Sequence, residues 1–103
     1  MSNSCHEIRE LTRDRVFEEV MLDRALRPAI ERHLSIIGEA LYCAAKQKPN
    51  LDERISSFPK IIALRHRLIH GYFSTSVEIL WRIVTHDIAT LQSEIEILLQ
   101  EDS

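Results

Sequence analysis

Two stretches of this chain repeat their apolar residues at every third and fourth position, and that spacing permits little besides packed helices. From about Arg24 to Lys46 the series runs Leu26, Ile30, Leu34, Ile37, Leu41 and Ala44. On a helix turning about 100° per residue these form one continuous stripe. Pro28 is tolerated because it falls near the first turn. Further on, Val77, Trp81, Val84, Ile88, Leu91, Ile95 and Leu98 alternate steps of four and three, predicting a second long helix with a kink near Thr85-His86-Asp87. With 2 Gly and 3 Pro in 103 residues, the chain is poor in the residues on which loop-rich folds depend. We therefore expect an all-α, up-and-down helical bundle, one domain over residues 1–103.

The segments between are shorter. Residues 1–15 are polar and weakly patterned and are expected to be loosely ordered. Val16, Phe17, Val20 and Met21 predict a helical turn or two, with Phe17, Met21 and Trp81 as packing residues. Gln47-Lys48-Pro49-Asn50 breaks the pattern. Ser57 then offers an N-cap and Pro59 a first-turn residue for a helix that runs to His70 and stops at Gly71. The helix over 24–46 carries a second strip, Ile36 and Cys43, flanked by Arg32 and Glu39, with Gly38 allowing close approach of another backbone. A dimer interface or burial inside its own bundle would each satisfy that strip.

A net charge of −3 excludes a generic nucleic-acid coat, so any RNA contact must come from a local patch, for which Lys60, Arg67 and Arg82 are candidates. The 2 Cys, Cys5 and Cys43, lack metal-ligand spacing, and Cys43 lies in an apolar helical run, so neither a disulfide framework nor a metal site is expected. His6, His33 and His86 have no partners at metal spacing. There is no charged-then-apolar leader and no apolar run long enough to span a bilayer, and a cytoplasmic setting is the expectation.

Chemistry concentrates in residues 65–72, Arg-His-Arg-Leu-Ile-His-Gly-Tyr. Arg65 falls in the middle of the apolar stripe Ile61, Ile62, Leu64, Leu68 and Ile69. A guanidinium there requires a carboxylate partner or an anion, because burying it unpaired costs several kcal/mol. His66, Arg67 and His70 share the opposite face, and a regular helix separates Arg65 from His70 by about 140°. These groups suit cleavage of RNA by its own 2′-hydroxyl. Histidines titrate near neutrality and can take one proton and deliver another, while arginine's planar fork matches phosphate oxygens. A two-fold dimer would bring two Arg65 and two His70 into one cleft, which a lone protomer cannot do, and the mechanism requires no metal or cofactor.

Arg65-His66, His70-Gly71-Tyr72, the upstream Leu34-Ser35-Ile36-Ile37-Gly38-Glu39-Ala40 and the downstream Ile79-Leu80-Trp81-Arg82-Ile83-Val84-Thr85 together resemble the HepT branch of the HEPN superfamily, over roughly residues 24–100. The resemblance implies the toxin of a toxin–antitoxin pair, a homodimeric, metal-independent endoribonuclease with a composite R-x-x-x-x-H site. It assigns Arg65 and His70 as catalytic, His66 as supporting, and Tyr72 as the tyrosine to which an MntA-like minimal nucleotidyltransferase antitoxin transfers AMP. The family usually carries asparagine where His66 stands, and relatives usually carry a full helix ahead of the segment resembling residues 8–23, so the first helix of the family is expected to be short or missing.

Each residue also has a plainer explanation. Arg65 can form an internal salt bridge to an acid such as Glu39, His70 can be a cation at a helix C-terminus, and Tyr72 can be an aromatic plug under the loop, although Phe73 suits that task better. A non-catalytic HEPN-type partner of a nucleotidyltransferase, or a plain helical interaction domain, would accommodate these alternatives.

Overall fold

A computed structural model describes residues 1–70 and 76–101, among which all regular structure is helical. The elements are α1 (Ser2–Thr12), α2 (Phe17–Met21), α3 (Leu26–Ala45), α4 (Leu51–Arg54), α5 (Phe58–Ile69), α6 (Val77–Arg82), a π-helical turn (Ile83–Asp87) and α7 (Ile88–Glu101). The all-α bundle expected from the apolar periodicity is what forms. Ile30, Leu34, Ile37 and Leu41 of α3 are fully or almost fully buried, as are Ile88, Leu91 and Ile95 of α7. They join Ile8, Ile61, Leu64 and Leu80 in a single apolar cluster.

Local signals set the helix limits. Asp23 begins α3, its Oδ1 accepting the backbone N–H groups of Leu26 at 2.7 Å and Ala25 at 2.8 Å. Those two donors hold its carboxyl below the usual carboxylate range. Ser76 caps α6 by accepting from Ile79 N at 3.4 Å. At α5, Pro59 sits in the first turn and His70 is the C-terminal cap, as the sequence predicts. Ser57 occupies the N-cap position, but its buried hydroxyl makes no capping bond. The irregularity anticipated near Thr85-His86-Asp87 is the π turn, one wide loop in an otherwise continuous rod over 77–101.

The start of the chain differs from expectation. Residues 2–12 are not loose but form α1, a short first helix packed between α3 and α7. Its buried face is Ser4, Cys5 and Ile8, with Met1 and Leu11 partly buried against the core, a narrow apolar stripe at helical spacing within an otherwise polar segment. Polar contacts complete the seam: His33 Nδ1 lies 3.3 Å from Ser4 Oγ, and Arg9 donates to Gln92 at 3.0 Å. Phe17 and Trp81 meet edge to face with ring centroids 5.9 Å apart, and Met21 is buried, the packing roles predicted for them. No helix among the described residues is long and apolar enough to cross a membrane.

Candidate functional site

Gly38 determines where Arg65 sits. A Cβ built on this glycine would stand 2.6 Å from Arg65 Cβ, so only glycine lets α5 approach α3 this closely at this level. The close approach that Gly38 permits is thus made within the chain, by the Arg65 stem. From there the guanidinium reaches the rim, where Nε and Nη2 donate to Glu39 Oε2 at 2.9 and 2.6 Å. Its Cζ lies 4.3 Å from the centre of the Tyr42 ring.

The carboxylate required by an arginine in an apolar stripe is therefore Glu39. The Arg65 side chain is 18% exposed and that of Glu39 55%, so the pair straddles the boundary of the core with its acidic half in solvent. Hydrogen bonding from Arg65, followed by the arginine's charge, holds the Glu39 carboxyl below its ordinary range. Glu39 Oε1 also accepts from Cys43 Sγ at 3.6 Å. Tyr42, which carries Lys46 Nζ 4.5 Å from its ring centre as well, was not singled out in the sequence. Its signal was its place one turn from Glu39 on the same face of α3.

The imidazoles of His66 and His70 meet on the exposed side of α5, their ring centroids 4.3 Å apart and tilted by 58°. Because α5 stays helical through Ile69, Arg65 faces α3 while His70 faces away, the divergence computed from the helical wheel. Tyr72 lies outside the described residues.

Two open depressions flank α5. One is lined by Tyr42, Asp52, Phe58, Pro59, Ile62, Ala63, Arg65, His66 and Arg67, and unites Arg65 with His66. The other, between α5 and the α6 rod, has a volume of about 410 Å³ and gathers Lys60, Arg67 and Arg82, the three candidate RNA-binding cations, with Ala63, Leu64, Ser76, Ile79, Ile83 and Asp87. Arg67 and Ala63 belong to both. A third, shallower hollow exposes Ile36, Cys43 and Ile69 beside Arg32 and Glu39, so the second strip of α3 is not covered by its own bundle. Among the described residues no cluster of three His, Cys, Asp or Glu side chains could hold a metal ion.

Comparison with known proteins bears on the family of the chain. The family model described as Ribonuclease HepT-like matches residues 1–98. A Thermococcus cleftensis protein named "Probable ribonuclease HepT" is 36% identical over 92 residues, covering 86% of this chain and 80% of the relative. A Methanocaldococcus jannaschii protein named "Putative RNase MJ1380" is 32% identical over 97 residues, covering 92% and 86%. A Caldanaerobacter subterraneus protein named "Putative RNase TTE0752" is 31% identical over 100 residues, covering 95% and 87%. No solved structure matches. Helical architecture, family model and relatives agree, and the chain belongs to the HepT-like ribonuclease family.

Proposed function

We propose that this protein is a metal-independent endoribonuclease, the cytoplasmic toxin of a toxin–antitoxin pair, whose site forms between two protomers. Arg65 steadies the charge that gathers on the phosphorane when the RNA 2′-oxygen attacks the adjacent phosphorus. His70 moves the protons, taking one from the 2′-hydroxyl or giving one to the departing 5′-oxygen, and His66 orients it through their ring contact. Arg65 and His70 of one protomer point in different directions, so the partner copy completes the set. Supporting this, the uncovered hollow at Ile36, Cys43 and Ile69 directly adjoins Glu39 and hence the Arg65 pair. A two-fold axis there would seat apolar residues on their own copies.

The observation that carries the reading is the way Arg65 is held. Its stem is fixed against Gly38, and its fork is set at the edge of a groove by Glu39 and Tyr42. A guanidinium positioned before substrate arrives has little to reorganise when charge develops. Its partner is a solvated carboxylate, which a phosphate oxygen can displace or share.

Silencing follows from the same electrostatics. An MntA-like minimal nucleotidyltransferase would join the Tyr72 hydroxyl oxygen to the α-phosphorus of ATP, releasing pyrophosphate. The attached AMP would bring negative charge and bulk close to the cations that RNA needs.

The test is RNA incubated in chelator with the purified protein and with Arg65→Ala. The reading expects cleavage by the first and a rate about 10²–10³-fold lower for the second. Equal rates, or cleavage only after metal is added, would remove it. The Arg65–Glu39 pair also favours a second reading, a non-catalytic HEPN-type partner of a minimal nucleotidyltransferase in which the arginine only braces α5. Tyr72 adenylylation with RNA left intact by the unmodified protein would establish that one.

A further inference from the structure

The depression between α5 and the α6 rod is not needed for the chemistry assigned to Arg65 and His70. Its floor is apolar, with Leu64 and Ile83 buried and Ile79 about half exposed. Its walls carry Lys60, Arg67 and Arg82, a concentration of positive charge in a chain that is acidic overall. A volume of about 410 Å³ lies in the range of small-ligand pockets. Apolar surface beside convergent cations suits an unstacked base and its phosphate.

Asp87 makes the pocket selective. It ends the π turn, its Oδ1 lies 3.6 Å from Lys60 Nζ, and its Oδ2 is buried with no hydrogen-bond partner. Lys60 is 59% exposed, so this ion pair is weak and screened. A buried carboxylate oxygen left without a donor is costly and uncommon. A π turn is also a frequent mark of a functional position. A cationic rim alone would accept any anion. Asp87 lines the same pocket as the cations and keeps 19% of its side chain exposed there, so the pocket favours a ligand that brings an N–H donor along with its negative charge.

We propose that this depression is a subsite for one unstacked nucleotide of an RNA strand, its base resting on Ile79 and Ile83, its donor edge on Asp87, and its phosphate between Arg67 and Arg82. Guanine is the preferred base because its N1–H and 2-amino groups are neighbouring donors that can converge on the one reachable oxygen of Asp87. The inference rests on the ribonuclease reading for its choice of RNA. Arg67 and Ala63 line both this pocket and the groove of Arg65 and His66, so one strand crossing α5 reaches the two in succession. The pocket selects a nucleotide next to the scissile phosphate and biases where the strand is cut.

The test uses the full-length His70→Ala protein and fluorescein-labelled tetranucleotides, three uridines with one variable internal base, followed by anisotropy across a range of salt concentrations. Guanine at the variable position should bind about tenfold more tightly than the other bases. Asp87→Asn should erase that preference. Ile79→Trp, at a half-exposed position where a larger side chain does not disturb the core, should erase it by filling the slot. Arg82→Ala should weaken all four oligonucleotides alike and reduce the salt slope by about 0.7 to 1. A base preference that survives both Asp87→Asn and Ile79→Trp, no preference at all, or free GMP binding as tightly as the tetranucleotide would overturn the proposal. Cleavage assays with the unmutated chain separate this from the broader reading. Intact RNA alongside an Asp87-dependent preference removes the nuclease and keeps the pocket, whereas cutting without any base bias does the reverse.

Discussion

The seam where α1 meets α3 and α7 and the face where α5 meets solvent are built on opposite principles. In the first, Cys5, Ile8, Leu34, Ile37, Leu91 and Ile95 are all at most 2% exposed, and the hydroxyl of Ser4 is matched by His33. On the second, His66, Arg67 and His70 are exposed and Ile69 keeps 54% of its surface in solvent. The seam stabilises without presenting anything reactive. The α5 face presents groups that add little to stability and that a protein selected for stability alone would have no reason to gather. Substitutions in the two regions should therefore separate folding from activity.

The sharpest separation is expected at His70. His70→Ala should lower RNA cleavage about 10²–10⁴-fold while leaving the denaturation midpoint close to that of the parent, because the side chain lies outside the core. A large loss of stability would break the contrast. Ile8→Ala is the counterpart, expected to cost about 2–5 kcal/mol in urea unfolding with the cleavage rate of the folded fraction unchanged.

Gly38→Ala tests the point where the two regions touch. Its new Cβ would collide with Arg65 Cβ, not with a mobile side-chain tip, so α3 and α5 must separate. A loss of about 1–3 kcal/mol should accompany a fall in activity, since the same shift moves the guanidinium. Stability lost with activity intact would show that the placement of Arg65 does not matter.

The smallest effect concerns pH. Burial pushes the Cys5 thiol from 9.0 to about 11, so the folded chain holds this proton more tightly than the unfolded one. The contribution to stability is complete below pH 9 and is lost as pH rises toward 11. Thermal midpoints over that window should fall less steeply for Cys5→Ala, and identical slopes would contradict the assignment. In the native protein a thiol alkylating reagent should label the exposed Cys43 and spare Cys5.

What the sequence made legible follows the same division. Long helices with large apolar residues at regular spacing, α3 and α7, could be read directly, and so could α5, whose Pro59 and His70 mark its ends. Helix α1 was missed although Met1, Cys5, Ile8 and Leu11 recur at helical spacing, because that stripe is narrow and the segment around it is polar. Asp23 as the start of α3 and Tyr42 beneath Arg65 were also missed, since each acts through a contact that composition does not announce. Glu39 was foreseen because an arginine in an apolar stripe demands an acid. Lys60, Arg67 and Arg82 were named in the sequence as one candidate cationic patch; α5 carries the first two and α6 the third, and what only the folded chain reveals is the pocket between those helices and the presence of Asp87 in its lining.

The claim on which the account depends is that neither protomer holds a complete site. Differently tagged Arg65→Ala and His70→Ala chains, each nearly silent alone, should be coexpressed and their heterodimer isolated by tandem affinity steps. The account predicts that the heterodimer regains a substantial fraction of the parental cleavage rate, the arginine of one protomer serving the histidine of the other. A heterodimer no more active than its inactive parents, or two chains that never copurify, would contradict it.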